Sequence, residues 1–150
     1  MIGGGGAAPP AWFLGAVACA LPVMWLWVSF VLSYAGGWWM LARRHRAATK
    51  PTDGVTYGLC GGRLGEFGAR YGGSLKVTVA REGLYVVPLL IFRLFHPPLL
   101  LPWSCVTGTR EGRVLFTRQL EVNCETEGRK TKLFLPAEAA EVVTARGVGT

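Results

Sequence analysis

Four cysteines and two histidines are where chemistry would be sought first in this chain. Cys19, Cys60, Cys105 and Cys124 form no Cys-x-x-Cys pair, and neither histidine stands among them at the spacing of a zinc site. His45 lies among arginines and His96 precedes Pro97-Pro98, so neither has a carboxylate or a nucleophile at a motif spacing for general-base work. Ser104-Cys105 follows Trp103 with no base beside it. Gly61-Gly62, Gly65 and Gly72-Gly73 are not followed by the Lys-Ser or Lys-Thr of a phosphate-binding loop, and they suit turns and bulges instead. The expectation is a non-enzyme with no catalytic residue, no metal ligand and no cofactor. Arg110, Arg113 and Arg118 with Phe116 are only a thin version of a basic and aromatic strand face, so nucleic acid is not expected as a partner.

The distribution of charge says more than these absences. The chain carries 16 Lys and Arg against 9 Asp and Glu, a net charge of +7, and every one of these residues lies from Arg43 onward. Two segments with different solvents therefore share 150 residues, with room for one compact domain at most. A basic half of this size needs an anionic partner class, and a membrane surface is the nearest one for a domain tethered to a bilayer. The three cysteines of this half, scattered singly, fit a reducing compartment in which they act as small hydrophobes.

The uncharged segment 11–42 is longer than the roughly 20 residues that span a hydrocarbon core of about 30 Å, so it is read as one transmembrane helix. Trp12 marks one end and Trp38-Trp39 the other, about 40 Å apart on a helix and close to the full bilayer with its headgroups. Pro22 falls in its first third, where membrane helices tolerate a kink. Small-residue cleavage patterns around Ala18-Cys19-Ala20 are rejected, because the long apolar run follows them rather than preceding them. Arg43, Arg44 and Arg46 come directly after the span, and the positive-inside bias then places the C-terminal part in the cytoplasm. Residues 1–10 are a tail on the far side, and 43–54 are a basic, Pro-containing joint.

From residue 55 to 146 the pattern becomes short period-two segments broken by Gly, the mark of an antiparallel sheet curving on itself. Leu75 to Ala80 and Leu84 to Val87 make a hairpin around Arg81-Glu82-Gly83, and Val55 to Arg63 is a strand weakened by its glycines. Trp103 to Arg110 is expected as a strand, with a turn at Glu111-Gly112-Arg113 into Val114 to Cys124, where Val114, Phe116, Leu120 and Val122 look inward. Lys130 to Leu135 closes the set. Pro136 opens a short helix whose Ala139, Ala140, Val142 and Val143 face the core, and 147–150 form a tail.

Gly83-Leu84-Tyr85 and Leu101-Pro102-Trp103-Ser104 resemble the core of PH-like and GRAM-like domains, where a Gly-Leu-aromatic strand is followed by a loop and a Pro-Trp strand. The run from Tyr71 to Val106, with Pro97 and Pro98 in His-Pro-Pro-Leu, is similar to small bacterial proteins that join one membrane helix to such a domain. The resemblance implies a small mainly-β (α+β) domain, a bent antiparallel sheet or barrel with a C-terminal helix. Domains of this kind bind phosphoinositides or peptides, and the turn between Ala80 and Leu84 lacks the Lys/Arg pair of the phosphoinositide-binding type.

Leu84 to Trp103 admits three readings. A second membrane span is opposed by Arg93, His96, Pro88 and the Pro97-Pro98 pair. Two core strands joined by an ordinary loop is the plainest. The third is a loop around Leu89 to Phe95 resting in the headgroup region, with Leu89, Leu90, Ile91, Leu94 and Phe95 touching lipid while Arg93 snorkels to phosphate. The chain is accordingly expected to be a single-pass protein of the cell's inner (plasma) membrane, contacting anionic headgroups through Arg43, Arg44, Arg46 and Arg93. The competing expectation is an assembly module for another membrane protein, the remote one is an enzyme whose site is assembled only by three-dimensional proximity, and the oligomeric state is left open.

Overall fold

The computed structural model describes residues 8–65, 69–114 and 116–146. Most of the N-terminal tail and the whole of the tail at 147–150 lie outside them, as does the side chain of Val114.

α1 (Ala11–Ala35) is 25 residues long, about 37 Å, and is the one helix among the described residues long and apolar enough to cross a membrane. Its side chains are exposed almost throughout; only Ser29 and Ser33, one turn apart, are buried. Pro22 lies inside it without ending it.

The helix expected to run to residue 42 stops at Ala35, and a second one, α2 (Trp38–His45), follows. Gly36-Gly37 make the break. Gly37 holds φ at +83°, a left-handed conformation that glycine adopts without the Cβ penalty. A Cβ at Gly36 would come within 2.8 Å of the Ala69 methyl. α2 is amphipathic across its short length: Trp38, Leu41 and Ala42 are buried, while Trp39, Met40, Arg43 and Arg44 are exposed.

Seven strands follow: β1 (Val55–Leu64), β2 (Ala69–Val79), β3 (Gly83–Pro88), β4 (Leu99–Pro102), β5 (Val106–Val114), β6 (Thr117–Thr126) and β7 (Arg129–Pro136). All pair antiparallel in one curled sheet of order β4-β3-β2-β1-β7-β6-β5, and α3 (Ala139–Arg146) packs on β2 and β7. One buried cluster gathers Leu75, Val77 and Val79 of β2, Leu84 and Val86 of β3, Leu120 and Val122 of β6, Leu133 and Leu135 of β7, and Ala139 and Val143 of α3. Cys60 and Cys124 belong to it, so these thiols pack as small hydrophobes, and burial pushes them up to about 11 and about 12.

Three expectations about local structure are overturned. Trp103–Cys105 is a 3₁₀ turn ahead of β5 and not the start of a strand. Glu111-Gly112-Arg113 are not a turn but the last part of β5, paired with Leu120, Gln119 and Arg118, and the reversal comes after Val114. Phe116 consequently sits at the hairpin tip with 96% of its surface exposed, not inward. Pro136 does not open the helix either: it ends β7 opposite Gln119, and α3 begins three residues later. Edge and terminal positions of a strand accept proline, and nothing in the local sequence separates the two uses.

The Gly-Leu-Tyr and Leu-Pro-Trp segments are cross-strand neighbours, with Gly83 opposite Pro102, Leu84 opposite Leu101 and Tyr85 opposite Leu100. Trp103 Nε1 donates to the Ala80 and Arg81 carbonyls at 3.2 and 3.0 Å, pinning the β2–β3 turn. A Cβ at Gly83 would collide with the Leu101 carbonyl. Gly83→Ala is expected to destabilise the protein by about 3 kcal/mol through overpacking against backbone. Thermal melts of the full chain in detergent should show it as a drop of more than about 10 °C. An unchanged midpoint would mean that the β3–β4 pair can part at little cost.

Candidate functional site

The side chains that organise the molecule converge where α2 meets the segment 96–99. Trp38 is fully buried, and its Nε1 donates to the Pro97 carbonyl at 2.9 Å. Its ring packs edge-on against Tyr71 and His96, with centroids 5.5 and 5.2 Å away, and a 3.1 Å hydrogen bond joins the Tyr71 hydroxyl to His96 Nε2. The Ala47 N–H donates to the Pro98 carbonyl at 2.9 Å, and Arg46 forms an isolated bridge with Leu99. Residues 96–99 therefore receive residues 38–47 along the β4 edge of the sheet. Prolines suit this strip, because they offer carbonyls to the incoming segment and have no N–H to leave unpaired. Trp38, expected in an interfacial belt, is instead part of the domain core, while its neighbour Trp39 remains exposed.

The segment between β3 and β4 is a 3₁₀ helix, Leu90–Phe95. With three residues per turn it has three faces. Phe92 and Phe95 face α1: Phe92 lies 6.3 Å from the Trp25 ring and Phe95 packs edge-on against Phe30 at 5.6 Å. Ser33 Oγ donates to the Phe95 carbonyl at 2.5 Å, which explains why a serine is buried on this face of an apolar helix. Leu90 with Arg93 and Ile91 with Leu94 form the other two faces, and Leu90, Ile91 and Leu94 are 79%, 58% and 66% exposed. Of the apolar residues expected to reach outward, Leu90, Ile91 and Leu94 do so, Leu89 is half-buried and Phe95 turns onto α1. A cavity of about 200 Å³ lies beside it, lined by Phe30, Ser33, Tyr34, Trp39 and Phe95.

Arg43, Arg44, Arg46 and Arg93 are all exposed; the first three follow α1 and the fourth is on the 3₁₀ helix. Arg44 pairs with Glu127 of the β6–β7 turn at 2.7 Å, so that turn also lies beside α2. Sequence reading missed a further basic group. Arg63 is cross-strand neighbour to both Arg70 and Lys132, placing three cations in one row across β2, β1 and β7. Lys132 is paired with Glu121 at 2.7 Å; among the described residues no carboxylate is paired with Arg63, Arg70 or Lys130. Like charges directly opposite on a sheet are destabilising, so the row favours an anion. A hollow of about 250 Å³ lined by Arg63, Gly65, Gly128, Lys130 and Lys132 lies over it. Only the strand register reveals this group, because the residues are up to 69 positions apart in the chain.

Among the described residues no three or more His, Cys, Asp or Glu stand close enough to hold a metal ion. No family model, no curated protein and no solved structure matches the chain.

Burial lowers the His96 imidazole from its ordinary 6.5, partly offset by the Phe92 backbone, and burial together with the Arg44 charge lowers His45. In both the fold favours the neutral imidazole. The unfolded chain therefore takes up protons near pH 6.5 that the folded chain refuses, so stability is full above that value and falls as the pH drops below it. Denaturant melts of the full chain in detergent between about pH 7.5 and 5.5 should show this decline, and His96→Gln should make it shallower. An equal slope in the variant would remove His96 as a contributor.

Proposed function

We propose that this chain is a single-pass membrane protein carrying a PH/GRAM-like, non-catalytic binding module, seated on the cytoplasmic leaflet of the inner (plasma) membrane and contacting anionic lipid. The observation that carries the reading is the 3₁₀ helix Leu90–Phe95, which lies alongside α1 and turns Leu90, Ile91 and Leu94 outward. Its contact at Trp25 is about 15 Å along the axis from the end of α1, which brings these side chains to hydrocarbon depth when α1 spans. Each such side chain removed from water is worth roughly 1.5 to 3 kcal/mol. Arg93, between them, is long enough to return its guanidinium to phosphate.

The rest of that end of the domain supports the same seat. α2 exposes Trp39 and Met40 in its first turn and Arg43 and Arg44 in its second, an apolar-to-basic gradient suited to an interface. The β1–β2 end meets Gly36 through Ala69, and the β6–β7 turn meets Arg44, so the row of Arg63, Arg70 and Lys132 belongs to the same end. Basic residues near an anionic surface contribute about 1 kcal/mol each. Arg43, Arg44 and Arg46 after the span also support a cytoplasmic domain by the positive-inside rule. One curled antiparallel sheet closed by a C-terminal helix, with Gly-Leu-Tyr beside Leu-Pro-Trp, supports the PH/GRAM-like reading.

Two measurements on the full chain in nanodiscs test this. A nitroxide at Leu94→Cys, in a background with Cys19 and Cys105 replaced by serine, should collide with oxygen and be shielded from a water-soluble nickel chelate. The reverse ratio would lift the 3₁₀ helix out of the bilayer and end the proposal of a seated domain. In mixed neutral and anionic nanodiscs, lipids retained by the protein should be enriched in the anionic species. Replacing Arg43, Arg44, Arg46 and Arg93 with glutamine should bring the retained lipid close to the bulk ratio, since about 1 kcal/mol of attraction is lost at each residue. Retention at the bulk lipid ratio by the wild type would refute anionic-lipid contact while leaving the seat intact.

A further inference from the structure

At the junction of α1 and α2, aromatic rings enclose a space that the core does not use. Phe30 and Tyr34, one turn apart on α1, stack with their ring centroids 6.4 Å apart. The break at Gly36-Gly37 brings Trp39 beside them, and Phe95 of the 3₁₀ helix closes a further side. These four rings wall the cavity of about 200 Å³, with the buried Ser33 at its base. Ser33 gives its hydroxyl proton to the Phe95 carbonyl, so the base offers no free donor. Water held in a cavity needs several polar partners, and a space lined in this way does not supply them.

Phe30, Tyr34 and Trp39 are each at least half exposed, so the groove is open to whatever surrounds α1. Tyr34 is the last residue but one of that helix, and Phe30 lies about 6 Å deeper along its axis. In a spanning α1 the groove therefore opens at the interface and runs into hydrocarbon, with Tyr34 and Trp39 at the level where such rings favour the headgroups. A partner helix, about 10 Å across, is too wide to enter it. The volume is also below that of a pocket for a compact solute, whereas a stretch of acyl chain fits.

Charge at the exit of the groove selects the headgroup. Arg43 comes one turn after Trp39 on the same side of α2, while Met40 and Arg44 run along the next. Arg43 and Arg129 border one hollow of about 340 Å³ beside α2. Arg44 and Glu127 border it too and offset each other as an ion pair, whereas among the described residues no carboxylate is paired with Arg43 or Arg129. We infer that this junction is a binding site for one anionic phospholipid, with an acyl chain between Phe30, Tyr34, Trp39 and Phe95 and the phosphate on Arg43 and Arg129. The site rests on the proposed membrane seat and goes beyond it: one lipid is held in a fixed place, where seating alone gives exchanging contacts.

Native mass spectrometry of the full chain, taken from nanodiscs of phosphatidylcholine and phosphatidylglycerol, tests it. One phosphatidylglycerol per chain should survive detergent exchange. Ser33→Leu, which sets a branched side chain at the base of the groove, should remove it. Ser33→Ala breaks the same hydrogen bond without adding bulk and should keep it. Tyr34→Ala, at an exposed wall, should lower retention about tenfold by taking away one ring from the chain's contact area. Arg43→Gln with Arg129→Gln should bring the retained lipid to the bulk ratio, and Arg46→Gln should change nothing. A wild type that keeps no lipid, a two-chain species without lipid, retention indifferent to both Ser33→Leu and Tyr34→Ala, or a headgroup preference indifferent to the double glutamine variant would each overturn the proposal. Anionic enrichment in intact nanodiscs with no lipid retained in detergent would strike this site alone and leave the lipid-facing seat standing.

Discussion

The burial of Trp38 is the contact on which the rest of the structure depends. One indole fills the gap between Tyr71 and His96, supplies its N–H to Pro97, and brings α2 into the same apolar cluster as the strands. Removing a side chain of this size from a packed core typically costs about 3 to 5 kcal/mol, a large share of the stability of a small domain. Because Trp38 follows Gly36-Gly37 directly, the same indole fixes the direction in which the chain leaves α1. The apolar helix and the sheet are thereby joined through a packed element and not through a slack joint.

This arrangement gives the β3–β4 region two roles. Gly83, Leu84, Leu101 and Trp103 build the sheet and pin the β2–β3 turn. Between the two strands, Phe92 and Phe95 hold the 3₁₀ helix on α1, and His96, Pro97, Pro98 and Leu99 receive the segment after it. A stretch whose apolar content invites comparison with a membrane span is explained by these two contact surfaces together, with only Leu90, Ile91 and Leu94 left facing outward.

What the amino-acid sequence discloses is local, and its failures are all at places where distant parts meet. Alternation made the second half of β2 and most of β7 plain, the turn before it made β3 plain, and the stripe of Ala139 and Val143 made α3 plain, because each depends on residues close in the chain; the first half of β2, Ala69 to Ser74, gave no such pattern. The break at Gly36-Gly37 was hidden inside an unbroken apolar run, since Trp38 and Leu41 are equally suited to lipid and to a protein core. The end of β5 was misplaced because Glu-Gly-Arg reads as a turn wherever it occurs, and only pairing with β6 shows it to be strand. The basic row failed to appear for the same reason. Arg63, Arg70 and Lys132 are unremarkable singly and become a group only once the register is known.

The Trp38-to-Pro97 contact has a consequence for the order in which the molecule is made, because its partners are 59 residues apart in the chain. A ribosome releases residues 38–47 seconds before residues 96–99, at roughly 5 to 20 residues per second. The piece that completes the core is therefore already made when most of the sheet is still to be synthesised. The sheet then finishes folding against a segment made before it, and the core closes only when Tyr71, His96 and Pro97 have all reached the waiting indole.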